Sequence, residues 1–338
     1  MKDMRRILTA AALLMMLPLA GQERKPAVQP YKIPVEESKP QTQWAVIDLS
    51  SCYIRVRPDY TAGLDTQAQM GAVCEVDARE SYWNHVKCHD PLYEGWVTDR
   101  ALARMTEAEK DAYIAAPKYI CVEEYTRIYE EPSASSARIC DFIYGDLVRQ
   151  TGVKKGKWVK VMLPSGVTGW TPKSAVADFA DYIAACNPTA ENVIAIAKKL
   201  VGVPYLWGGN TIKGTDCSGL MRVSYFMNGV LLPRDAKDQI HTGDPLPADD
   251  LSAYKPGDLL FFGTKAKDGK PMRVSHVGMY IGDGKIIHSS LKVRISSLVP
   301  GGEDYYSREM VGACRVLGNI DNGKGIISTA KSPDYFKQ

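Results

Sequence analysis

The feature that most constrains this chain is an internal repeat. Pro58 recurs as Pro132, Gly71 as Gly145, and the pair Gly95-Trp96 as Gly169-Trp170, each at a spacing of 74 residues. Trp83 returns as Trp158, one residue out of step. Around these anchors, Ile54-Arg55-Val56-Arg57-Pro58 parallels Thr126-Arg127-Ile128-Tyr129 followed by Glu130-Glu131-Pro132. Trp83-Asn84-His85-Val86-Lys87 likewise parallels Trp158-Val159-Lys160-Val161. Both copies alternate apolar and polar residues between Gly-containing turns, as small antiparallel barrels do. Two copies are too few for a solenoid, which needs at least about three.

With the Arg-x-x-Pro entry of the first copy and, in both, a central Gly, a Trp-x-x-Val strand and a closing Gly-Trp, the two copies resemble bacterial SH3-like domains. The resemblance spans residues 43–104 and 119–178. Between them, at 105–118, Thr106 to Ala116 reads as a capped short helix ending near Pro117. Ahead of them, Lys2, Arg5 and Arg6 precede an apolar run from Ile7 to Ala20. That is the layout of a secretory signal peptide, assigned to 1–21, and the run is short of the ~20 residues that span a bilayer. Residues 22–42, with four Pro and little apolar material, read as a linker. The expectation is an exported protein, periplasmic or extracellular, with no integral membrane segment after cleavage. A charge of +3 from 42 basic and 39 acidic residues is too even for a dedicated nucleic-acid binder.

An oxidising compartment permits disulfides. The eight cysteines are irregularly spaced and contain no CxxC, so a zinc ribbon or thioredoxin motif is absent. One bridge within the Cys52–Cys88 group is expected, with most of the others acting as buried small side chains.

From Asn187 the period changes. Thr189 can cap a helix carrying Val193, Ile194, Ala197, Leu200 and Val201 at helical spacing, stopped by Gly202. Asp216-Cys217-Ser218-Gly219-Leu220 opens a second helix running to about Asn228-Gly229, and strands follow at Asp258–Phe262, Ser275–Ile281, Lys285–Ser290 and near Val311–Leu317. Helices first and antiparallel strands second indicate an α+β domain, placed at 187–318, with 319–338 left as a C-terminal tail. Cys217 at a helix start meets the positive end of the helix dipole, which favours thiolate. Of five histidines, His276 and His288 flank one hairpin; Cys on a helix with His on a sheet is the papain-type arrangement. His85, His89 and His241 read as surface residues, and Asp283 as a turn residue.

The hairpin carries a parity condition. A two-residue Asp283-Gly284 loop alone would send His276 and His288 to opposite faces. An odd loop, such as Gly282-Asp283-Gly284, sets Gly278 opposite His288 and puts His276 diagonally beside it. Only the odd count lets His288 orient His276. Cys217, His276 and His288 are also zinc-ligand types, but no fourth ligand accompanies them.

Four ordered segments then converge. They are Pro204-Tyr205-Leu206-Trp207-Gly208-Gly209, Asp216-Cys217-Ser218-Gly219-Leu220, Pro256-Gly257-Asp258-Leu259-Leu260-Phe261-Phe262, and Ser275-His276-Val277-Gly278 through His288. Together they resemble the NlpC-type cysteine peptidases of the bacterial cell wall. The resemblance implies a papain-like fold with Cys217 as nucleophile, His276 as base, His288 as orienting residue and Tyr205 at the oxyanion site, with no cofactor. The fold class expected is therefore two small all-β SH3-like barrels followed by an α+β papain-like peptidase domain.

The domain combination resembles the γ-D-glutamyl-L-diamino-acid endopeptidases, or dipeptidyl-peptidases VI. That implies hydrolysis of stem peptides beginning with a free L-Ala. Asp216 and Ser218 would hold the L-Ala amine and Tyr93 would close the pocket. Arg234 and Asp235 belong to an Arg-Asp-Ser segment of close relatives whose third residue is Ala236 here, and the acid often found after the mid-domain Gly of the first barrel is Ala72. Asp216 also fits a plain helix cap. Two other functions stay open at this level: an endopeptidase on intact wall anchored by the SH3-like domains, and a non-catalytic wall binder. The expected partners are peptidoglycan stem peptides and no nucleic acid, with the protein a monomer.

Overall fold

The structure is a computed structural model and describes residues 43–337. The expected signal peptide and linker lie outside the described residues. Among those described, no helix is long and apolar enough to cross a membrane.

The sequence repeat is a repeat of topology. The first unit has seven strands, Gln43–Ile47, Cys52–Arg55, Leu64–Ala68, Val73–Glu80, Trp83–His89, Leu92–Thr98 and Leu102–Met105. They form one antiparallel sheet in the order third, second, sixth, fifth, fourth, first, seventh. The second unit, from Lys118–Cys121 to Val176–Asp178, repeats that order. The recurring Gly-Trp has a steric cause. A Cβ on Gly95 would lie 2.7 Å from Ile54 Cγ2 and 2.8 Å from the Arg55 carbonyl oxygen. On Gly169 it would meet Ile128 Cγ2 at 2.5 Å and the Tyr129 oxygen at 2.8 Å. The sixth strand crosses the second where no side chain fits. Ile47, Ile54, Val86 and Val97 are fully buried in the first core, each contributing roughly 1.5–3 kcal/mol by leaving water. Cys74 and Cys88, paired across adjacent strands, form a disulfide.

Between the two units, Glu107–Ala115 is helical under a capping box. The Thr106 side chain accepts from Glu109 N–H, and the Glu109 carboxylate accepts from Thr106 N–H. The units are joined by backbone and side-chain bonds: Leu147 N–H donates to Met70 O at 2.9 Å and Gln69 Nε2 to Tyr144 O at 2.7 Å.

The C-terminal domain has helices Phe179–Ala185, Ala190–Lys199, Cys217–Phe226 and Ala236–Gln239 against a six-stranded antiparallel sheet. The sheet order is Asp244–Leu246, Met310–Arg315, Leu259–Thr264, Arg273–Gly282, Lys285–Ser290, Lys292–Ser297. The segment 319–338 reads in sequence as a tail, but its residues 319–337 complete the core. Ile327–Ser328 pairs with Val230–Leu231, and buried Tyr335 packs on Phe179 and Phe226. Its polar composition hides four apolar anchors, Ile320, Ile326, Tyr335 and Phe336.

The first unit is bolted to this domain by polar groups. Gln67 Oε1 accepts from Asn210 N–H at 2.8 Å and Thr211 Oγ1 at 3.2 Å. Arg222 pairs with Asp90, and His89 Nδ1 lies 2.6 Å from Asp334.

Candidate functional site

Helix Cys217–Phe226 starts where it does because Asp216, in extended conformation, caps it by accepting from Gly219 N–H at 2.8 Å. All ten residues of the helix are buried. Gly219 lets loop 204–209 lie directly on its first turn: a Cβ there would sit 2.0 Å from the Gly209 carbonyl oxygen. The backbone N–H groups of Val277 and Ser218 lie toward the Cys217 sulfur and favour its charged form. The thiol is thus held against the residue that follows His276. Burial pushes the Cys217 thiol up to about 11, with the Asp216 charge adding to it and the two N–H groups opposing. The expected dipole-favoured thiolate is outweighed by desolvation, and the resting group is a neutral thiol.

His276 Nε2 lies 2.7 Å from His288 Nδ1, and His288 Nε2 lies 2.9 Å from Ser296 Oγ. Burial, then the charge environment of His288, depresses His276 to about 3. Burial, then Arg294, depresses His288 to about 4. Ser296 Oγ can donate or accept, so two proton orders satisfy the chain; in the one that suits a base, His288 Nε2–H donates to Ser296 and His276 Nε2–H donates to His288. His276 Nδ1 is then a bare acceptor, an assignment made from the network. Tyr306 roofs both imidazoles, with ring centroids 5.2 Å and 4.6 Å away.

The parity condition is met by a different device from the odd loop. The tip is the two-residue Asp283-Gly284 turn, both with positive φ, and Gly282 pairs with Lys285. A bulge at Ile281 supplies the odd residue, because Tyr280 pairs with Ile286 and Met279 with Ile287. Carried on, that register faces Gly278 toward His288; a Cβ on Gly278 would lie 3.2 Å from that of His288.

A cleft of roughly 230 Å³ opens beside Cys217. Tyr205, Asp216, Ser218, Asp235 and Tyr93 all line it. Tyr205 bridges to Thr215 beside the nucleophile helix, and burial, then the Cys217 charge, pushes its phenol up to about 12. Arg234 is buried behind the cleft. It donates to both Asp216 oxygens (3.1 and 2.6 Å), to Ser218 Oγ (3.0 Å) and to Thr66 Oγ1 (2.6 Å). Asp216 Oδ2 also accepts from Gly208 N–H at 3.0 Å, and Oδ1 from the Ser218 hydroxyl at 3.2 Å. Its acceptor capacity is committed within the protein.

Asp65 was missed in the sequence, having no motif around it. The Tyr93 hydroxyl bonds Asp65 at 3.4 Å and Asp235 at 3.5 Å. Burial, then the Asp235 charge, raises the Asp65 carboxyl. Ala72, which follows the mid-domain Gly of the first unit, is buried in the first core. Tyr306 was missed too; only the folded loop after Ser297 brings it over the histidines. Among the surface histidines, His85 pairs with Asp77 and His89 with Asp334 and Glu75.

Comparison with known proteins gives the family. The model of the NlpC/P60 family matches residues 202–315. The gamma-D-glutamyl-L-lysine dipeptidyl-peptidase of Bacillus cereus is 30% identical over 262 residues, 75% of each chain. Dipeptidyl-peptidase 6 of Lysinibacillus sphaericus is 27% identical over 267 residues, 75% of this chain and 91% of the other. The crystal structure of an NlpC/P60 family protein from Bacillus cereus aligns with a TM-score of 0.66 at 26% identity, covering 81% of this chain and 99% of that one. Agreement that runs through the N-terminal units as well as the cysteine domain makes the conclusion plain: this chain belongs to the NlpC/P60 family and is a cysteine-type peptidase.

Proposed function

We propose that the protein hydrolyses the γ-D-glutamyl–diamino acid bond of peptidoglycan stem peptides whose N-terminal L-Ala is free. The two N-terminal units read as SH3-like domains, and the first serves as a wall of the active site. Cys217 Sγ attacks the γ-carbonyl carbon of D-Glu while its proton passes to His276 Nδ1. Because the resting pair is neutral, proton transfer accompanies attack instead of preceding it. The oxyanion is held by the Cys217 backbone N–H and the Tyr205 hydroxyl. Collapse expels the diamino acid amine, which takes the proton from His276 and leaves a thioester. Water, deprotonated by His276, then hydrolyses the thioester and restores the thiol. His288, held by Ser296, keeps the His276 ring oriented and accepts from its Nε2–H throughout.

The observation that carries the substrate reading is the acidic pocket at Tyr93. Asp65 and Tyr93 come from the first unit and Asp235 from the peptidase domain, and all three line the cleft that holds Cys217. Two carboxylates around one hydroxyl, with the exposed Lys237 at 3.4 Å from Asp235, suit an incoming ammonium group. In this reading Asp216 and Ser218 shape the pocket through Arg234, while Asp65 and Asp235 meet the amine. A wall at that end also favours small peptides over the polymer.

Mass spectrometry of digests tests this. The tripeptide L-Ala-γ-D-Glu-diamino acid should be cut at least about tenfold faster than its N-acetylated form, the worth of one partly desolvated charge-assisted bond. Equal rates, or faster release from intact sacculi, would favour the intact-wall reading instead.

A further inference from the structure

The cleft beside Cys217 has a cation that the reaction scheme above does not use. Arg273 begins strand Arg273–Gly282, is exposed, and lines the same cleft as Cys217 and Asp235. Among the described residues its guanidinium has no hydrogen bond and no ion pair. Of the other arginines of this domain near the site, Arg234 is committed to Asp216 and Arg294 to Asp304, while Arg308, whose charge is felt at His276, His288 and Tyr306, does not line this cleft. An exposed arginine on an open surface would call for no explanation, but the sheet register gives this one a direction.

Simple alternation would put residues 273 and 276 on opposite faces of the strand. The pairing with Leu259–Thr264 is interrupted, however. Phe262 pairs with His276, Gly263 with Val274 and Thr264 with Arg273. Phe262 and Thr264 are two residues apart and share a face, so their partners His276 and Arg273 share one as well. The extra residue, Ser275, forms a bulge that turns Arg273 to the side of the candidate base. At ~3.3 Å per residue the two Cα atoms are about 10 Å apart at most. A γ-linked D-Glu carries its free α-carboxylate four bonds from the attacked carbonyl carbon, about 5 Å when extended. The arginine side chain spans the remainder.

We propose that Arg273 binds the α-carboxylate of the D-Glu residue whose γ-carbonyl is attacked, so that the enzyme selects D-glutamate over its α-amide. The proposal rests on the substrate reading given above and deepens it. The cleft is then complementary to a zwitterionic dipeptide, with Asp65 and Asp235 taking the ammonium and Arg273 the carboxylate. Guanidinium is the group suited to this task, since its planar fork can engage both carboxylate oxygens.

The test compares three tripeptides: the acid form, a form with D-isoglutamine in place of D-Glu, and a form amidated on the diamino acid alone. Wild type should cut the acid peptide roughly tenfold faster in kcat/KM than the isoglutamine peptide, with little loss from diamino acid amidation. R273A should lose about that factor on the acid peptide and bring the ratio of acid to isoglutamine near one; R273K should keep part of the preference. Circular dichroism confirms that both variants fold. Equal wild-type rates on the acid and isoglutamine forms overturn the assignment while leaving the substrate reading intact. So does an R273A defect of equal size on both, or a preference that follows the diamino acid amide. If wild type cuts none of the three, the substrate reading fails and this assignment fails with it.

Discussion

Replacing Arg234 by Ala tests whether Asp216 is committed to the fold. Arg234 is 4% exposed, and its loss would leave the carboxylate of Asp216, a residue 7% exposed, without a counter-charge. Only the N–H groups of Gly208 and Gly219 and the Ser218 hydroxyl would remain to it. It would also cut the Thr66 bond by which the peptidase domain grips the first unit. Removing one partner of a buried pair costs about 3–5 kcal/mol, which at ~2–4 °C per kcal/mol for a chain of this size lowers Tm by roughly 6–20 °C. Calorimetry on Arg234→Ala, Asp216→Asn and the double variant measures it. The double variant should cost less than the sum of the singles by at least about 1 kcal/mol, because the second change removes the stranded charge. kcat should fall with Arg234→Ala, since the cap of the Cys217 helix loosens. If Asp216 were instead the group that holds the substrate ammonium, freeing it from Arg234 would lower KM for the free-amine tripeptide. A Tm drop under about 2 °C together with a lower KM would refute the reasoning.

Cys217→Ala and His276→Ala should each lower kcat/KM by at least about 100-fold while unfolding stays cooperative, since each holds one half of a proton transfer; full activity in Cys217→Ala, read by peptide hydrolysis, would contradict the mechanism. His288→Ala should cost about tenfold to a hundredfold by leaving the His276 Nε2–H unpaired, and Ser296→Ala less. Because burial holds His276 near 3 and His288 near 4, the base stays neutral as pH falls through 6.5. The acid limb of kcat/KM attributable to it should therefore lie well below the ordinary imidazole range, and a limb at or above 6.5 would count against a neutral resting pair. His89 moves the other way, held up by its bond to Asp334. Its contribution to anchoring the C-terminal segment is fully present below the unfolded value of about 6.5 and is lost as pH rises through the folded value. The Tm gap between wild type and His89→Asn should shrink on that rise.

How much of this was readable beforehand depends on the range over which each signal acts. The repeat was legible because Gly95 and Gly169 answer a local steric demand that leaves the same residue at the same spacing. The start of the Cys217 helix was legible because an N-cap is a matter of a few adjacent residues. Asp65 was not, since its role depends on one sheet being set against another domain, and nothing in Leu64–Ala68 announces the neighbour. Tyr306 is hidden for the same reason, in a loop whose return over His276 and His288 is fixed by tertiary packing.

The hairpin is the most instructive case, because the right consequence was reached through the wrong part. Parity requires an odd residue between His276 and His288, and a sequence shows the turn residues Asp283-Gly284 far more clearly than it shows a bulge. The structure keeps the favoured two-residue turn and moves the odd residue to Ile281. A second bulge, at Ser275, does for Arg273 what the first does for His288. Both sit on the one strand that carries the candidate base, one on each side of it. A bulge re-aims the side chains beyond it without moving the strand out of the sheet. This strand therefore carries Arg273 and His276 on one face and sets His276 beside His288 of the next strand, where strict alternation over the same length would have turned Arg273 and His288 away.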